Sequence, residues 1–148
     1  MEYEIKDLSL KDIGREKIEW IKDFMPVLSS IEKELIGEQP LKGIKVTMAL
    51  HLEAKTAYLA VVMHNLGAQV RVTGSNPLST QDEITAALVD IGISVFAYRG
   101  VDSETYKNHL VKALAHKPNI VIDDGADLAH TLHKQHPELM ADVYGGCE

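Results

Sequence analysis

Four short stretches rich in β-branched and other apolar residues recur along the chain, and a helical pattern separates each from the next. They are IKVTMAL (44–50), QVRVTG (69–74), SVFAYR (94–99) and NIVIDD (119–124), and their starts lie about 25 residues apart. A strand, a helix and a second strand within this length form a βαβ unit, whose two strands are parallel. Four such strands in succession predict an α/β domain with a Rossmann-like three-layer arrangement and a mostly parallel sheet.

Helices are predicted in the three gaps between these strands and after the last strand. The segments are AKTAYLAVVMHNLG, STQDEITAALVDIG, SETYKNHLVKALAH and ADLAHTLHKQH. The first two end in glycine, which is favoured just past the end of a helix. We expect these helices to cover both faces of the sheet.

A helical segment precedes the first strand. Apolar residues between positions 10 and 37 recur at helical spacing, and Met25-Pro26 predicts a break or kink because proline cannot continue the hydrogen-bond ladder. The segment from Gly37 to Gly43 is typical of a loop. We therefore predict an N-terminal helical segment over residues 1–38 and a Rossmann-like domain over residues 39–148.

Composition excludes several classes of function. The chain has 148 residues, 45% of them hydrophobic, which is enough for one domain with a buried core. The net charge of −7 argues against a nucleic-acid partner, because proteins that bind phosphate backbones cluster Lys and Arg. No apolar run reaches the roughly 18 residues of a membrane span, and the charged N-terminus shows no signal peptide. The single cysteine, Cys147, fits a reducing compartment, so a cytoplasmic protein without a membrane partner is expected.

The loops that follow the four strands are the expected place for a ligand, because open parallel sheets bind ligands at the carboxyl ends of their strands. These loops read HLEAK, GSNPLST, RGVDS and DDGAD. None contains the Gly-x-Gly-x-x-Gly pattern of a dinucleotide-binding turn. We therefore predict no cofactor-binding residue within this chain.

The segment GSNPLSTQDE allows two interpretations. Ser79 followed three residues later by Asp82 resembles a capping box, in which the serine only caps the next helix. Alternatively, Ser79, Thr80 and Gln81 contact a ligand at the start of that helix. Both interpretations can hold at once.

The segment IDDGADL places two carboxylates at the end of the fourth strand. The side chains of Asp123 and Asp124 are expected to point to opposite sides of the sheet. Asp124 is either a structural residue or a residue of the ligand crevice. Asp127 falls in the first turn of the next helix, where a helix cap is the expected role.

His51 comes directly after the first strand. A histidine ring can take up and release a proton near neutral pH, which suits proton transfer in the crevice, although a structural histidine is the alternative. His130 and His133 lie three positions apart on a helix, but no third ligand is evident. No metal site is therefore predicted.

Six segments point to a known family. PVL, LHLEAKTA, SNPLSTQDE, VFAYRG, IDDGADL and GGCE occur in this order along the chain. In order and spacing they resemble the N-terminal part of the S-adenosylhomocysteine hydrolases, and the resemblance covers essentially all residues. STQD followed by DDGxDL is the most specific part of it. The greatest likeness is to the archaeal methanogen branch, described as S-inosylhomocysteine hydrolases.

The resemblance implies an NAD-dependent hydrolysis of a nucleosyl-homocysteine thioether. In the family, a tightly held NAD oxidises the ribose 3′-hydroxyl, a base removes the C4′ proton, homocysteine leaves, water adds, and the NADH formed reduces the ketone. By position, His51 matches the general acid/base near C5′ and the leaving sulfur. Asp124 matches the aspartate at the ribose and C4′, whereas Thr56 and Ser79 match residues near the substrate.

The resemblance also implies groups that this chain does not contain. The family's other substrate contacts are a glutamate, a lysine and an aspartate further downstream, and a separate domain binds NAD. The segment 39–148 is therefore expected to be an incomplete substrate-binding domain, and this chain alone is expected to be inactive. Family members are mostly homotetramers, so self-association is expected of the full-length enzyme.

Glu53 and Lys55 depart from the pattern of adenosine-specific members, which usually carry threonine and then glutamate or glutamine there. Adenine presents a donor at its 6-amino group and an acceptor at N1, and hypoxanthine reverses both. An ionised Glu53 can only accept a hydrogen bond, and Lys55 can only donate. We therefore predict that Lys55 binds the 6-oxygen and Glu53 binds N1–H of S-inosyl-L-homocysteine. As residues two apart on a helix, the two are not expected to contact each other.

Other functions stay open at this stage. The substrate preferred could be S-adenosyl-L-homocysteine, which would yield adenosine. The chain could also be a nucleoside-binding module without chemistry, which would need no NAD. In a purely structural or oligomerisation domain, His51, Lys55 and Asp124 would be caps and surface charges.

Overall fold

The computed structural model describes residues 1–148. Its six helices are α1 (Lys11–Lys22), α2 (Pro26–Leu35), α3 (Ala54–Asn65), α4 (Asp82–Ile91), α5 (Ser103–Leu114) and α6 (Asp127–Gln135). Its five strands are β1 (Lys45–Leu50), β2 (Gln69–Gly74), β3 (Ser94–Phe96), β4 (Ile120–Ile122) and β5 (Gly145–Cys147). Short 3-10 helices cover Leu8–Leu10 and Pro137–Asp142. None of the helices has the length and hydrophobicity that crossing a bilayer requires.

The sheet is parallel throughout, in the order β3-β2-β1-β4-β5. The chain runs outward from the central strand β1 through β2 to β3, and then crosses to β4 on the other side. The strand order therefore reverses between β1 and β4, and the crevice for a ligand is expected outside the carboxyl ends of these two strands. The predicted Rossmann-like α/β fold is confirmed.

Two hydrophobic clusters lie on the two faces of the sheet. Alternate residues of β1 point to opposite faces, so that Val46 and Met48 belong to one cluster and Ala49 to the other. The first cluster is completed by α1, α3 and α4, and the second by α5 and α6. The sheet thus lies between two helical layers, as the sequence predicts.

The N-terminal helices pack against the same core. The helix break at Met25-Pro26 is confirmed, because α1 ends before it and Pro26 is the first residue of α2. Gly14 of α1 touches α4 so closely that a Cβ atom there would overlap the carbonyl oxygen of Glu83. Ile18 of α1 is buried in the first cluster. The division into segments 1–38 and 39–148 stays a prediction.

The residues before α1 extend the sheet in a way that the sequence analysis did not anticipate. Glu4 pairs with the edge strand β3, since its N–H donates to Val95 O at 2.8 Å and Ala97 N–H donates to its carbonyl at 3.0 Å. The Glu4 carboxylate also forms an ion pair with Lys112 of α5. The N-terminal segment therefore covers one edge of the sheet.

Some element boundaries differ from the predicted ones. β3 and β4 are shorter than the segments 94–99 and 119–124, and α4 begins at Asp82 rather than near Ser79. β5 was not predicted because glycines have low strand propensity. It forms through pairing with β4, in which Cys147 lies opposite Ile122.

Candidate functional site

His51 and Asp124 meet at the point where the strand order reverses. His51 directly follows β1, and Asp124 follows β4 two residues after its end. The His51 Nε2 atom lies 3.3 Å from Asp124 Oδ2, and both side chains are about half exposed. The structure therefore brings together the two residues that the sequence analysis singled out for catalysis.

Ser79 holds the other nitrogen of the His51 ring. Its Oγ lies 2.5 Å from His51 Nδ1 and 3.0 Å from the carbonyl oxygen of Asn76. A hydroxyl has one proton to donate, and the carbonyl can only accept. If Ser79 donates to Asn76 O, then His51 Nδ1–H donates to Ser79 Oγ. The Nε2 atom is then the ring nitrogen that faces the Asp124 carboxylate.

The loop between β2 and α4 is folded back against the end of β1. Ser75 N–H donates to Leu50 O and Gln81 N–H donates to Leu52 O, each at 3.0 Å. Asn76 closes a tight turn through its side-chain oxygen, which accepts from Leu78 N–H at 2.8 Å. These hydrogen bonds fix the loop that carries Ser79 next to His51.

The capping-box interpretation of Ser79 is wrong. The N-terminal cap of α4 is Gln81, and the Ser79 hydroxyl is used by Asn76 and His51 instead. The carboxylate of Asp82 accepts from Arg99 N–H at 2.7 Å rather than from the start of its own helix. The folded-back loop is the reason, because it delays the helix until Asp82.

The side chains of Thr80 and Gln81 form hydrogen bonds with other residues and not with His51. Thr80 is 1% exposed, and its hydroxyl donates to Asn76 O at 3.3 Å. The Gln81 side-chain oxygen accepts from Lys17 of α1 at 3.3 Å. Substrate contacts of these two residues stay predictions.

Thr56 fixes the turn that joins β1 to α3. Its Oγ1 lies 2.5 Å from His51 O and 3.0 Å from Glu53 O, and it accepts from Glu53 N–H at 3.2 Å. The hydroxyl therefore holds the backbone of His51 at the start of the helix. This is a supporting position for a residue that the sequence analysis placed near the substrate.

Glu53 and Lys55 do contact each other, contrary to the sequence-based expectation. Their Oε1 and Nζ atoms lie 3.7 Å apart. Glu53 is the N-terminal cap of α3 and has an extended backbone, with φ −134° and ψ 179°. The spacing rule for residues within a helix therefore does not apply to this pair. Lys55 and Thr56 also line an open, mainly apolar groove of about 550 Å³, whose other wall includes Phe24 and Val27.

The two other acids of the IDDGADL segment have structural roles. Asp123 is buried, and its carboxylate accepts from Asp124 N–H at 3.0 Å and from Ala129 N–H in the first turn of α6 at 2.8 Å. Burial raises the pKa of Asp123, and the backbone hydrogen bonds oppose that effect. The prediction that Asp127 caps the helix is wrong. Ala126 is the cap residue, and Asp127 accepts from the hydroxyl of Tyr106 at 2.9 Å.

Two residues at the site were not singled out by the sequence analysis. Ser75 Oγ lies 3.5 Å from Asp124 Oδ2, and the Tyr106 hydroxyl lies 3.1 Å from the Ser75 carbonyl oxygen. Ser75 belongs to the GSNPLST loop, where the sequence analysis expected a ligand. Its position in that loop could therefore have indicated a role at the site. Tyr106 lies within α5, and no local pattern pointed to it.

The turn between β1 and α3 does not fit the pyrophosphate of a dinucleotide cofactor. A pyrophosphate would need a glycine-rich turn between β1 and α3, where its charge would meet the helix N-terminus. That turn contains no glycine and instead carries the Glu53 carboxylate at the helix cap. No group of three or more His, Cys, Asp or Glu side chains is arranged to hold a metal ion.

Comparison with known proteins identifies the family. The family model described as S-adenosyl-L-homocysteine hydrolase matches residues 2–144. An S-inosyl-L-homocysteine hydrolase of Methanocaldococcus jannaschii is 50% identical over 146 residues, which are 99% of this chain and 35% of that protein. Adenosylhomocysteinases of Thermococcus kodakarensis and Aquifex aeolicus are 46% and 50% identical, over 99% and 100% of this chain and 35% and 36% of their own lengths.

These relatives carry two different substrate names at similar identity, so the names do not decide between inosyl and adenosyl substrates. The chain spans about a third of the length of the relatives it matches. The match of almost the whole chain to one family model, together with identities near 50%, settles the classification. The chain belongs to the S-adenosyl-L-homocysteine hydrolase family.

Proposed function

We propose that this chain forms the nucleoside-binding side of an enzyme that hydrolyses S-inosyl-L-homocysteine to inosine and L-homocysteine. S-Adenosyl-L-homocysteine is the poorer substrate in this proposal. The observation that carries it is the position of His51, which lies between Ser79 and Asp124 at the reversal of strand order. We use the name full-length enzyme for this chain joined to the remaining length found in its relatives.

In the proposed reaction, the C5′–S bond breaks and a C5′–O bond to water forms. One proton of the water is transferred to the leaving homocysteine sulfur, so that the atoms balance. His51 carries this proton, because Ser79 holds its Nδ1 atom and leaves Nε2 to exchange the proton. Asp124, 3.3 Å from Nε2, is assigned to the ribose side of the substrate.

Enzymes of this family use NAD. We assign NAD binding to the part of the relatives' length that this chain does not cover, because the turn after β1 lacks the glycines that a pyrophosphate needs. The residues of this chain then bind and orient the nucleoside and move protons. A homotetramer located in the cytoplasm, with residues 39–148 as the substrate-binding domain, is part of the same proposal.

Glu53 and Lys55 are proposed to read the edge of the base. In the free protein the two groups form a 3.7 Å contact, and hypoxanthine would replace this contact with one donor and one acceptor of matching polarity. Adenine would place a donor against Lys55 and an acceptor against Glu53. A buried donor without an acceptor costs about 1–3 kcal/mol, which is sufficient to discriminate between the two bases.

Calorimetric titration of the 148-residue chain with inosine and with adenosine tests the proposal without NAD. We expect inosine to bind about 10-fold more tightly, a difference of about 1.4 kcal/mol. The variant Lys55→Met should remove most of this difference, because it removes the donor to the 6-oxygen. The matched control Lys107→Met changes another exposed lysine near a helix start and should leave both affinities unchanged. Equal binding of the two nucleosides, or tighter binding of adenosine, would contradict the base-reading role.

A further inference from the structure

Tyr106 connects two loops that lie on opposite sides of the central strand. Its hydroxyl lies 2.9 Å from Asp127 Oδ2 and 3.1 Å from the carbonyl oxygen of Ser75. Ser75 follows β2, and Asp127 begins α6 after β4. Because β2 and β4 flank β1 in the sheet, a side chain of α5 ties together the two walls of the crevice around β1.

The same two loops carry both partners of His51. The loop after β2 holds Ser79, which contacts His51 Nδ1, and the loop after β4 holds Asp124, which faces Nε2. A direct contact between the loops, from Ser75 Oγ to Asp124 Oδ2, is long at 3.5 Å and is therefore weak. Both distances from the Tyr106 hydroxyl are shorter, and its single proton is shared between the Asp127 carboxylate and the Ser75 carbonyl, so that Tyr106 provides the firmer connection.

The surroundings of Tyr106 keep its hydroxyl in the donor form. The ring lines a small cavity of about 10 Å³ together with Thr73, Thr80 and His109. Burial, followed by the hydrogen bond to the Asp127 carboxylate, raises the pKa of Tyr106 above its ordinary value. The phenol therefore stays protonated throughout the physiological range, and its single proton is always present to be shared between the two acceptors.

We propose that Tyr106 is a positioning residue that sets the separation of the loops after β2 and β4 and thereby holds His51 between Ser79 and Asp124. Its effect on catalysis rests on the function proposed above, whereas its effect on the loops does not. Tyr106 itself is not expected to touch the substrate. Small displacements of catalytic groups can lower a rate strongly. Because Tyr106 acts on the position of His51 and not on the substrate, its loss is expected to affect kcat more than substrate affinity.

Hydrogen exchange of the 148-residue chain tests the tie to the loops directly. Tyr106→Phe removes only the hydroxyl, and we expect amides in segments 75–81 and 123–129 to exchange about 10-fold faster. The amides of β1 should be unaffected. The control Tyr98→Phe removes the hydroxyl of another tyrosine that lines the same cavity and should leave both segments unchanged. Unchanged exchange of both segments in Tyr106→Phe would overturn the proposal.

Kinetics of the full-length enzyme test the consequence for His51. For Tyr106→Phe we expect kcat for thiol release to fall about 10-fold while KM changes less than about threefold. Asp127→Asn keeps an acceptor oxygen and should retain more activity than Asp127→Leu. The double variant Tyr106→Phe with Asp127→Leu should be little worse than Tyr106→Phe alone, because loss of the tyrosine hydroxyl already removes its hydrogen bond to Asp127.

The outcomes separate this proposal from the function on which it rests. An unchanged kcat in Tyr106→Phe, or additive losses in the double variant, would overturn the positioning role. If the unsubstituted full-length enzyme released no thiol, the proposed function would fail. The exchange experiment would in that case still decide whether Tyr106 holds the two loops.

Discussion

His51→Gln in the full-length enzyme is expected to lower kcat for thiol release from S-inosyl-L-homocysteine by about 1,000-fold. Glutamine preserves much of the side-chain size and can still form hydrogen bonds, but it cannot take up and release a proton near neutral pH. His51 lies between Ser79 and Asp124, and both contacts position its ring for proton transfer. We expect KM to change much less than kcat. Steady-state rates of thiol release over a range of substrate concentrations give both quantities.

His130→Gln is the matched control for this prediction. His130 is exposed on α6 and follows the same strand as Asp124, yet no role in the reaction is assigned to it. The kcat of the His130→Gln variant should equal that of the unsubstituted enzyme. An enzyme with His51→Gln that retains more than about a tenth of the activity would show that His51 is not the proton carrier.

The second large effect is expected from the double variant Glu53→Thr with Lys55→Glu. This exchange introduces the residue types that the sequence analysis expects in adenosine-specific members, and it inverts the polarity of both proposed contacts to the base. The ratio of kcat/KM for the inosyl substrate over the adenosyl substrate should fall by about 100-fold, because two hydrogen bonds change from matched to mismatched. Thiol release from the two substrates, measured at low concentration of each, gives this ratio.

A control with the same change in charge separates base reading from general electrostatics. Glu104→Thr with Lys107→Glu makes the identical two substitutions on α5, where both side chains are exposed. The substrate ratio should not change in this variant. If the control shifted the ratio as much as the variant on α3 does, the two residues would act through net charge and not through the base edge.

The contact between Glu53 and Lys55 has a consequence for their proposed role. The 3.7 Å separation brings opposite charges together, and Lys55 remains largely exposed. An exposed ion pair of this kind stabilises the protein by no more than about 1 kcal/mol. A base that matches both groups can therefore replace the pair at small cost. Adenine would break the ion pair without offering matching partners, because its donor would face Lys55 and its acceptor would face Glu53.

Much of the fold could be predicted because its signals are local. The first four strands and the helices between them appear in the sequence as alternating patterns, and the end of β1 at Leu50 was correctly expected. The side-chain period of two in a strand also separates the two acids after β4. Asp123 is buried as an anchor of α6, and Asp124 is exposed in the crevice.

The parts that escaped prediction depend on contacts between distant residues. β5 forms only because β4 offers a free edge to the Gly145-Gly146 backbone, and Glu4 pairs with β3 from the other end of the chain. The contact of Ser79 with His51 could not be predicted, because it depends on how the loop between β2 and α4 folds back against β1. Capping patterns describe residues within one helix turn, and they cannot reveal that a hydroxyl is taken by a histidine 28 positions away.

We propose that this chain makes a nucleosyl-homocysteine hydrolase prefer the inosyl substrate. The most direct measurement compares thiol release from S-inosyl- and S-adenosyl-L-homocysteine, side by side, by the full-length enzyme with NAD bound. We expect a kcat/KM at least about 10-fold higher for the inosyl substrate. A higher value for the adenosyl substrate would contradict the role of Glu53 and Lys55, and the absence of thiol release from both would contradict the proposed reaction.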